Sequence, residues 1–204
     1  MSAPIIHGPV VTRLPVDHRG REVDLEAYAY RGERDCEQIL ALVRRAPDAD
    51  RDAVPIVRLH SGCVTGDVFH SLRCDCYQQL RLAMDLICEA AVGAIIYLPY
   101  QEGRGIGLYQ KLRAYSCQDR GSDTIEANVE IGMPVDARDY GLAAAVLRDL
   151  NFSTVNLLSG NPLKKLALTR NEIHVAQCIP LKCTPNQHNN NYLTAKRVKM
   201  AHDL

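Results

Sequence analysis

The stretch RLHSGCVTGDVFHSLRCDCYQQL, Arg58 to Leu80, gathers Cys63, Cys74 and Cys76 within fourteen residues of a 204-residue chain that holds eight cysteines. Zinc held by three protein ligands keeps its fourth tetrahedral position for water, the arrangement of a reacting centre, whereas a purely structural site fills all four. A disulfide between Cys74 and Cys76 is geometrically poor, because the bond demands a specific Cα separation and side-chain direction. Two neighbouring thiolates converging on one cation is the easier geometry. The competing reading treats the three cysteines as small buried apolar side chains. His60 has three open roles: a fourth ligand, a support to a ligand, or a substrate contact.

A second candidate is QEGRGIG, Gln101 to Gly107, where three glycines let the backbone approach a ligand and Glu102 and Arg104 offer a carboxylate and a fixed cation. A plain strand-to-helix turn fits the same residues, since the spacing is not the dinucleotide fingerprint. Asp136 reads as a helix N-cap ahead of the alanine-rich Tyr140–Leu150. In Ser159 to Lys165 the proline suits a first helical turn, and the lysines either meet a phosphate or stand in solvent.

These groups need a scaffold. With 47% apolar and 24% charged residues the chain has the balance of a folded globular protein, expected as a single domain over 1–204. Zero formal net charge excludes a global basic field, so neither nucleic acid nor an anionic membrane is the expected partner. MSAPIIHGPVVTRLPVDHRG has no basic-then-apolar leader and no run is long enough to span a bilayer, so a cytoplasmic location with free thiols is expected.

Strands are expected at Ile5–Leu14 and Val23–Tyr30 around an Asp17-to-Gly20 turn, then at Val54–Leu59, Ala94–Leu98, Val155–Leu158 and Ile173–Leu181. Helices are expected at Glu37–Arg45, from Leu80 to Ala91 with Gly93 as its stop, and at Leu108–Asp119 with Leu108, Leu112 and Tyr115 facing inward. Residues 123–128 are polar and aperiodic, and 189–204 reads as a basic tail, disordered first and helical last. The alternation implies an α/β fold: a mixed sheet with flanking helices, a β-rich part over 1–56, a core over 57–185 and a tail over 186–204.

Taken together, RLHS with CVTGD, SLRCDC, QEGRGIG, RAY, DT with EAN, DARD and NP occur in an order and spacing that resembles the GTP cyclohydrolase II family, from about Val57 onward. The resemblance implies hydrolysis of GTP to formate, pyrophosphate and a 2,5-diamino-6-ribosylamino-pyrimidinone phosphate, by a homodimer using zinc for the ring and magnesium for the triphosphate. It assigns zinc to Cys63, Cys74 and Cys76, and catalysis to Tyr115, Asp136 as proton acceptor and Arg138 as nucleophile. Arginine keeps its proton at physiological pH, so the residue chemistry favours Arg138 as a phosphate clamp. Substrate contacts carried over are Arg58, Leu59, His60, Ser61, Gly62, Gln79, Glu102, Gly103, Arg104, Thr124, Ser159 and Lys164. Glu102 suits guanine, because one carboxylate accepts from both N1–H and the 2-amino group.

Three positions depart from the family: Gly62 stands for a glutamate, Ser159 for a threonine, and Tyr100 reads as an extra residue after Pro99. Gly62 is expected to leave room, so that Gly62→Glu holds GTP turnover within about threefold or raises it. Magnesium is then expected at Asp67 or Glu130. Two further readings stay open: a paralogue that acts on a related nucleotide or stops at the formamide, and a non-catalytic zinc module, which needs a fourth protein ligand.

Overall fold

Apolar alternation and short apolar runs sort into one mixed sheet in the computed structural model, which describes residues 4–50, 52–200 and 203. β1 (His7–His18) and β2 (Arg21–Arg31) form a hairpin whose two turn residues, Arg19 (φ 54°) and Gly20 (φ 74°), are both left-handed, as a two-residue hairpin loop requires. β3 (Gln38–Arg45) pairs antiparallel with β2, and β4 (Ile56–Ser61), β5 (Val92–Leu98), β6 (Thr154–Leu158) and β7 (His174–Ile179) complete the order β1-β2-β3-β5-β4-β6-β7. β5, β4, β6 and β7 are mutually parallel, while β5 meets β3 antiparallel. The α/β fold class expected from the alternation is the one observed.

Parallel strands need crossovers, and these carry the site. Between β4 and β5 run α1 (Val64–Asp67) and α2 (Cys76–Glu89); between β5 and β6 come a tight turn over Pro99–Gly105, α3 (Leu108–Asp119), α4 (Thr124–Glu130) and α5 (Gly141–Asp149). α6 (Pro162–Arg170) links β6 to β7, and α7 (Asn190–Met200) follows. The main core packs α5 and α6 against one sheet face through Val57, Leu59, Ile96, Val146 and Leu157. A smaller core sets Ala83 and Ile87 of α2 against Ile95 and Leu158 on the other. Ser61, Leu98 and Leu158 therefore end their strands at one sheet edge, where crevices of open parallel sheets bind ligands.

Several local expectations are corrected. Glu37–Arg45 contains a strand and no helix: Ile39, Ala41 and Val43 alternate into the core, and the segment is bonded on both sides. α2 stops at Glu89, and Gly93 lies inside β5, where a Cβ would sit 3.1 Å from the Ile56 carbonyl oxygen. Residues 124–130 are helical, started by a reciprocal capping box between Asp123 and Glu126. Asp136 caps no helix, since α5 begins after Tyr140. α3 buries Lys111, Ala114 and Cys117, leaving Leu108 and Leu112 exposed. The tail does not begin disordered: Asn186 and Asn189 exchange side-chain to backbone hydrogen bonds ahead of α7. Residues 201, 202 and 204 of that tail lie outside the described residues. No helix among the described residues is long and apolar enough to cross a membrane.

Candidate active site

β4 ends at Ser61 and hands the chain through Gly62 to Cys63, while Cys74 and Cys76 stand at the start of α2. The three sulfurs lie within 4.8 Å of one another, with Cys63 Sγ and Cys74 Sγ 3.7 Å apart and no disulfide between them. Gly66 closes the cradle: a Cβ there would sit 3.0 Å from Cys74 Sγ and 3.1 Å from Cys63 Sγ. Hydrogen bonds from Cys74 and Cys76, together with the Lys111 cation, pull the Cys63 thiol well below its ordinary pKa. Their bonds to that sulfur push Cys74 up to about 11 and raise Cys76 well above its ordinary value. A cation bound by all three must displace the remaining protons.

His60 turns away from the sulfurs. Its Nε2 lies 3.1 Å from both Asp67 carboxylate oxygens, and Asp67 also accepts from Tyr97 Oη at 3.0 Å and from the Cys63 amide at 2.9 Å. Burial lowers the His60 pKa, and although Asp67 opposes this, Arg58 adds to it. His60 thus orients the carboxylate that holds the Cys63 backbone. Among the described residues no histidine or carboxylate joins the three sulfurs, so the zinc-module reading lacks its fourth ligand. Asp67, and Glu130 held by Arg120 and Ser122, line neither of the two cavities described below.

Lys111, which the sequence reading left unassigned, is buried on the inner face of α3. Its Nζ donates to Glu102 Oε1 at 2.7 Å, Thr65 Oγ1 at 2.7 Å and Cys63 Sγ at 3.0 Å. Glu102 Oε2 accepts from the Val64 amide at 2.6 Å. Tyr115 lines the same cavity, with the Arg73 guanidinium 4.3 Å above its ring. Burial raises the phenol pKa, against the pull of Lys111, so the hydroxyl stays protonated. Thr124 and Asn128 of α4 supply the far wall.

A second cavity shares Ser61, Cys76, Arg104, Arg138 and Tyr192 with the first. Their cavity volumes are about 100 Å³ and 60 Å³. Arg58 donates to the Leu158 carbonyl at 2.8 Å and to Gln79 Oε1 at 2.5 Å, and Gln79 in turn donates to Asp75. Lys164 Nζ donates to the Leu59 carbonyl at 2.8 Å. Ser159 Oγ accepts the Asn161 amide at 3.0 Å. Buried donors remain without a hydrogen-bond partner among the described residues: Arg58 Nε, both terminal nitrogens of Arg104, and Asn161 Nδ2. Arg104 is held at φ 61° after Gly103 at the same φ, which turns its side chain out of the helical path.

Arg138 forks onto Asp136 through Nε at 2.8 Å and Nη2 at 2.5 Å. Burial works to raise the Asp136 pKa, but the Arg138 bonds and charge outweigh it and hold the carboxyl below the ordinary range. Burial alone would lower the Arg138 pKa; the Asp136 bond reverses this and leaves the guanidinium harder to deprotonate than usual.

Of the residues carried over, the two cavities gather the three cysteines, Tyr115, Arg138, Arg58, His60, Ser61, Gly62, Gln79, Gly103, Arg104, Thr124, Ser159 and Lys164. Asp136 stands one contact behind Arg138 and Glu102 one behind Lys111, whereas the Leu59 side chain lies in the main core. Gly62 leaves no space: a Cβ there would meet Pro99 Cα at 2.9 Å and the Leu98 carbonyl oxygen at 3.3 Å. Asn161 and Tyr192 were missed as site residues, although Asn161 preceding Pro162 is a legible cap signal.

The GTP cyclohydrolase II family matches residues 10–180 of the chain. The riboflavin biosynthesis protein RibBA of Rhodococcus jostii (strain RHA1) is 44% identical over 195 residues, covering 94% of this chain and 46% of the relative. RibBA of Cytophaga hutchinsonii is 43% identical over 201 residues (98% and 49%), and that of Salinispora tropica 46% over 192 (94% and 46%). The chain thus spans about half the length of the curated relatives it matches. The family match begins at residue 10, so most of residues 1–56, expected to diverge, fall inside it.

Proposed function

The chain belongs to the GTP cyclohydrolase II family, a family of hydrolases, and from that premise we propose that it opens the imidazole ring of GTP, releasing formate and pyrophosphate and leaving 2,5-diamino-6-ribosylamino-pyrimidinone phosphate. One observation carries the reading: a three-thiol cluster shares a wall with a cavity into which the unpartnered buried donors of Arg58, Arg104 and Asn161 converge. Buried donors of this kind are costly unless a ligand satisfies them, and a triphosphate supplies the acceptors.

The three sulfurs and the cradle at Gly66 fit zinc, which Cys63, Cys74 and Cys76 would hold. Bound there, zinc would supply Lewis acidity and a water acidic enough to act as a nucleophile at neutral pH. Glu102 would accept from the N1–H and 2-amino edge at the one site that Lys111, Val64 and the Gly103 amide leave open, since a carboxylate accepts at about four sites. The protonated Tyr115 hydroxyl would donate to charge developing as the ring opens. Arg138, fixed by Asp136, would clamp the phosphate oxygens; its raised pKa speaks against a nucleophilic role. Arg58, Arg104, Asn161 and Lys164 would hold the phosphates, with magnesium arriving on the triphosphate. Exposed Val10 and Val11 on β1 are consistent with the homodimer that the resemblance implies, which sedimentation tests.

Mass spectrometry of zinc-loaded protein incubated with GTP and magnesium is the test. Formate, pyrophosphate and the diaminopyrimidinone in equal amounts are expected. An accumulating formamide would move the assignment to the paralogue, and unchanged GTP would overturn it.

A further inference from the structure

Lys111 is a buried lysine whose three ammonium protons meet three acceptors: a metal-cluster thiol, a hydroxyl and a carboxylate. An ordinary helix lysine extends to solvent. Here the backbone makes room for the stem instead, since a Cβ on Gly103 would stand 3.0 Å from Lys111 Cβ. Three thiolates around a divalent cation carry a net negative charge, and Lys111 is the buried cation in direct contact with it. The same ammonium fixes Glu102, so one group sets the spacing between a metal ligand and the carboxylate assigned above to the base edge.

We propose that Lys111 is a positioning residue that fastens the Cys63 thiolate to Glu102. It keeps Cys63 oriented for the metal and Glu102 aimed at the 2-amino edge of the purine. The second half rests on the proposed GTP reaction; the first does not. Groups that support a metal ligand from behind typically change metal affinity by about 10- to 100-fold.

The experiment compares wild type, Lys111→Met and Thr65→Val. The threonine variant removes one anchor of the lysine, together with the threonine hydroxyl's own 3.6 Å contact with Cys63 Sγ, and keeps the lysine charge, so it tests the anchoring of that sulfur even if the methionine variant does not fold. Zinc transfer to a chromophoric chelator needs no nucleotide. Release about 10-fold or more faster is expected for Lys111→Met, with a smaller shift in the same direction for Thr65→Val. The absorption of the cobalt-substituted protein, whose thiolate charge-transfer band reports the donor strength of the sulfurs, is expected to move in both. Discrimination between GTP and inosine triphosphate, which lacks the 2-amino group, is expected to shrink in Lys111→Met. Zinc release and the cobalt band at wild-type values in both variants would overturn the role toward Cys63. Discrimination unchanged in Lys111→Met, with wild type active on GTP, would overturn the role toward Glu102. Wild type inactive on GTP would instead sink the functional assignment, leaving the zinc readouts to decide the first half.

Discussion

Gly62 gives the sharpest test, because sequence and structure point in opposite directions there. Its backbone φ is ordinary, so the constraint is steric: the nearest atoms to an added Cβ are the Cα of Pro99 at 2.9 Å and the carbonyl oxygens of Leu98 and Pro99 at 3.3 and 3.4 Å. All three are backbone atoms. Optimal carbon contacts lie at about 3.5–4.0 Å, so Gly62→Ala forces the end of β5 outward by roughly 0.6 Å or more. The Gly62 amide also bonds the Leu98 carbonyl at 2.9 Å, which ties the two segments together and resists the shift. Overpacking of this kind costs about 1–3 kcal/mol, which for a chain of this size lowers Tm by roughly 2–12 °C. The displaced segment carries Gln101 to Arg104, and misplacement near 1 Å costs on the order of 100-fold in rate. Gly62→Ala and Gly62→Glu are therefore both expected to lose stability and formate release, with glutamate worse. Scanning calorimetry and a coupled formate assay read the two quantities. An alanine variant with unchanged Tm and rate would refute the steric account and restore the expectation of open space.

Arg104→Met is expected to keep or raise Tm, because the terminal nitrogens have no hydrogen bond to lose and methionine can keep packing on the Tyr192 ring 5.5 Å from the guanidinium, while pyrophosphate binding by titration calorimetry weakens about tenfold or more; a lower Tm with unchanged binding would contradict this. The Asp136 pKa is depressed in the folded state, so its contribution to stability is complete above an unfolded value near 3.9 and disappears as pH falls through the lower folded value. Wild-type Tm is accordingly expected to drop more steeply below about pH 4 than that of Asp136→Asn, and parallel curves would refute it. Tyr115→Phe is expected to cut formate about 100-fold while pyrophosphate release persists, whereas Arg138→Ala loses both; formate at the wild-type rate from the Arg138 variant would show that phosphate release does not come first.

The cysteines were legible because three soft ligands in fourteen residues have few other uses, and the strands β4 to β7 because short β-branched runs between helices leave little choice. Gln38–Arg45 misled because Leu40 and Leu42 interleave with Ile39, Ala41 and Val43, and a strand apolar on both faces mimics a helix segment. α3 misled for the opposite reason: its inward face serves a polar site, so the buried stripe is Lys111, Ala114 and Cys117 while its leucines face out. Periodicity reports where oil meets water, and it is blind where a helix turns charge inward. The box at Asp123 and Glu126 was readable and was passed over. The commitment of Asp67 to His60, and the lack of space at Gly62, depend on contacts no local spacing contains.

The two halves of the site differ in how the chain must fold back to make them. Cys63 reaches Cys74 across 11 residues, but Arg58 reaches the Leu158 carbonyl across 100, and Lys164 reaches Leu59 across 105. By loop-closure entropy alone, the longer closures cost the unfolded chain about 2 kcal/mol more than the thiol loop. Local closure therefore favours gathering the thiols before the anion cavity exists. Until α6 docks, Arg58 and Lys164 are two solvated cations on separate parts of a disordered coil.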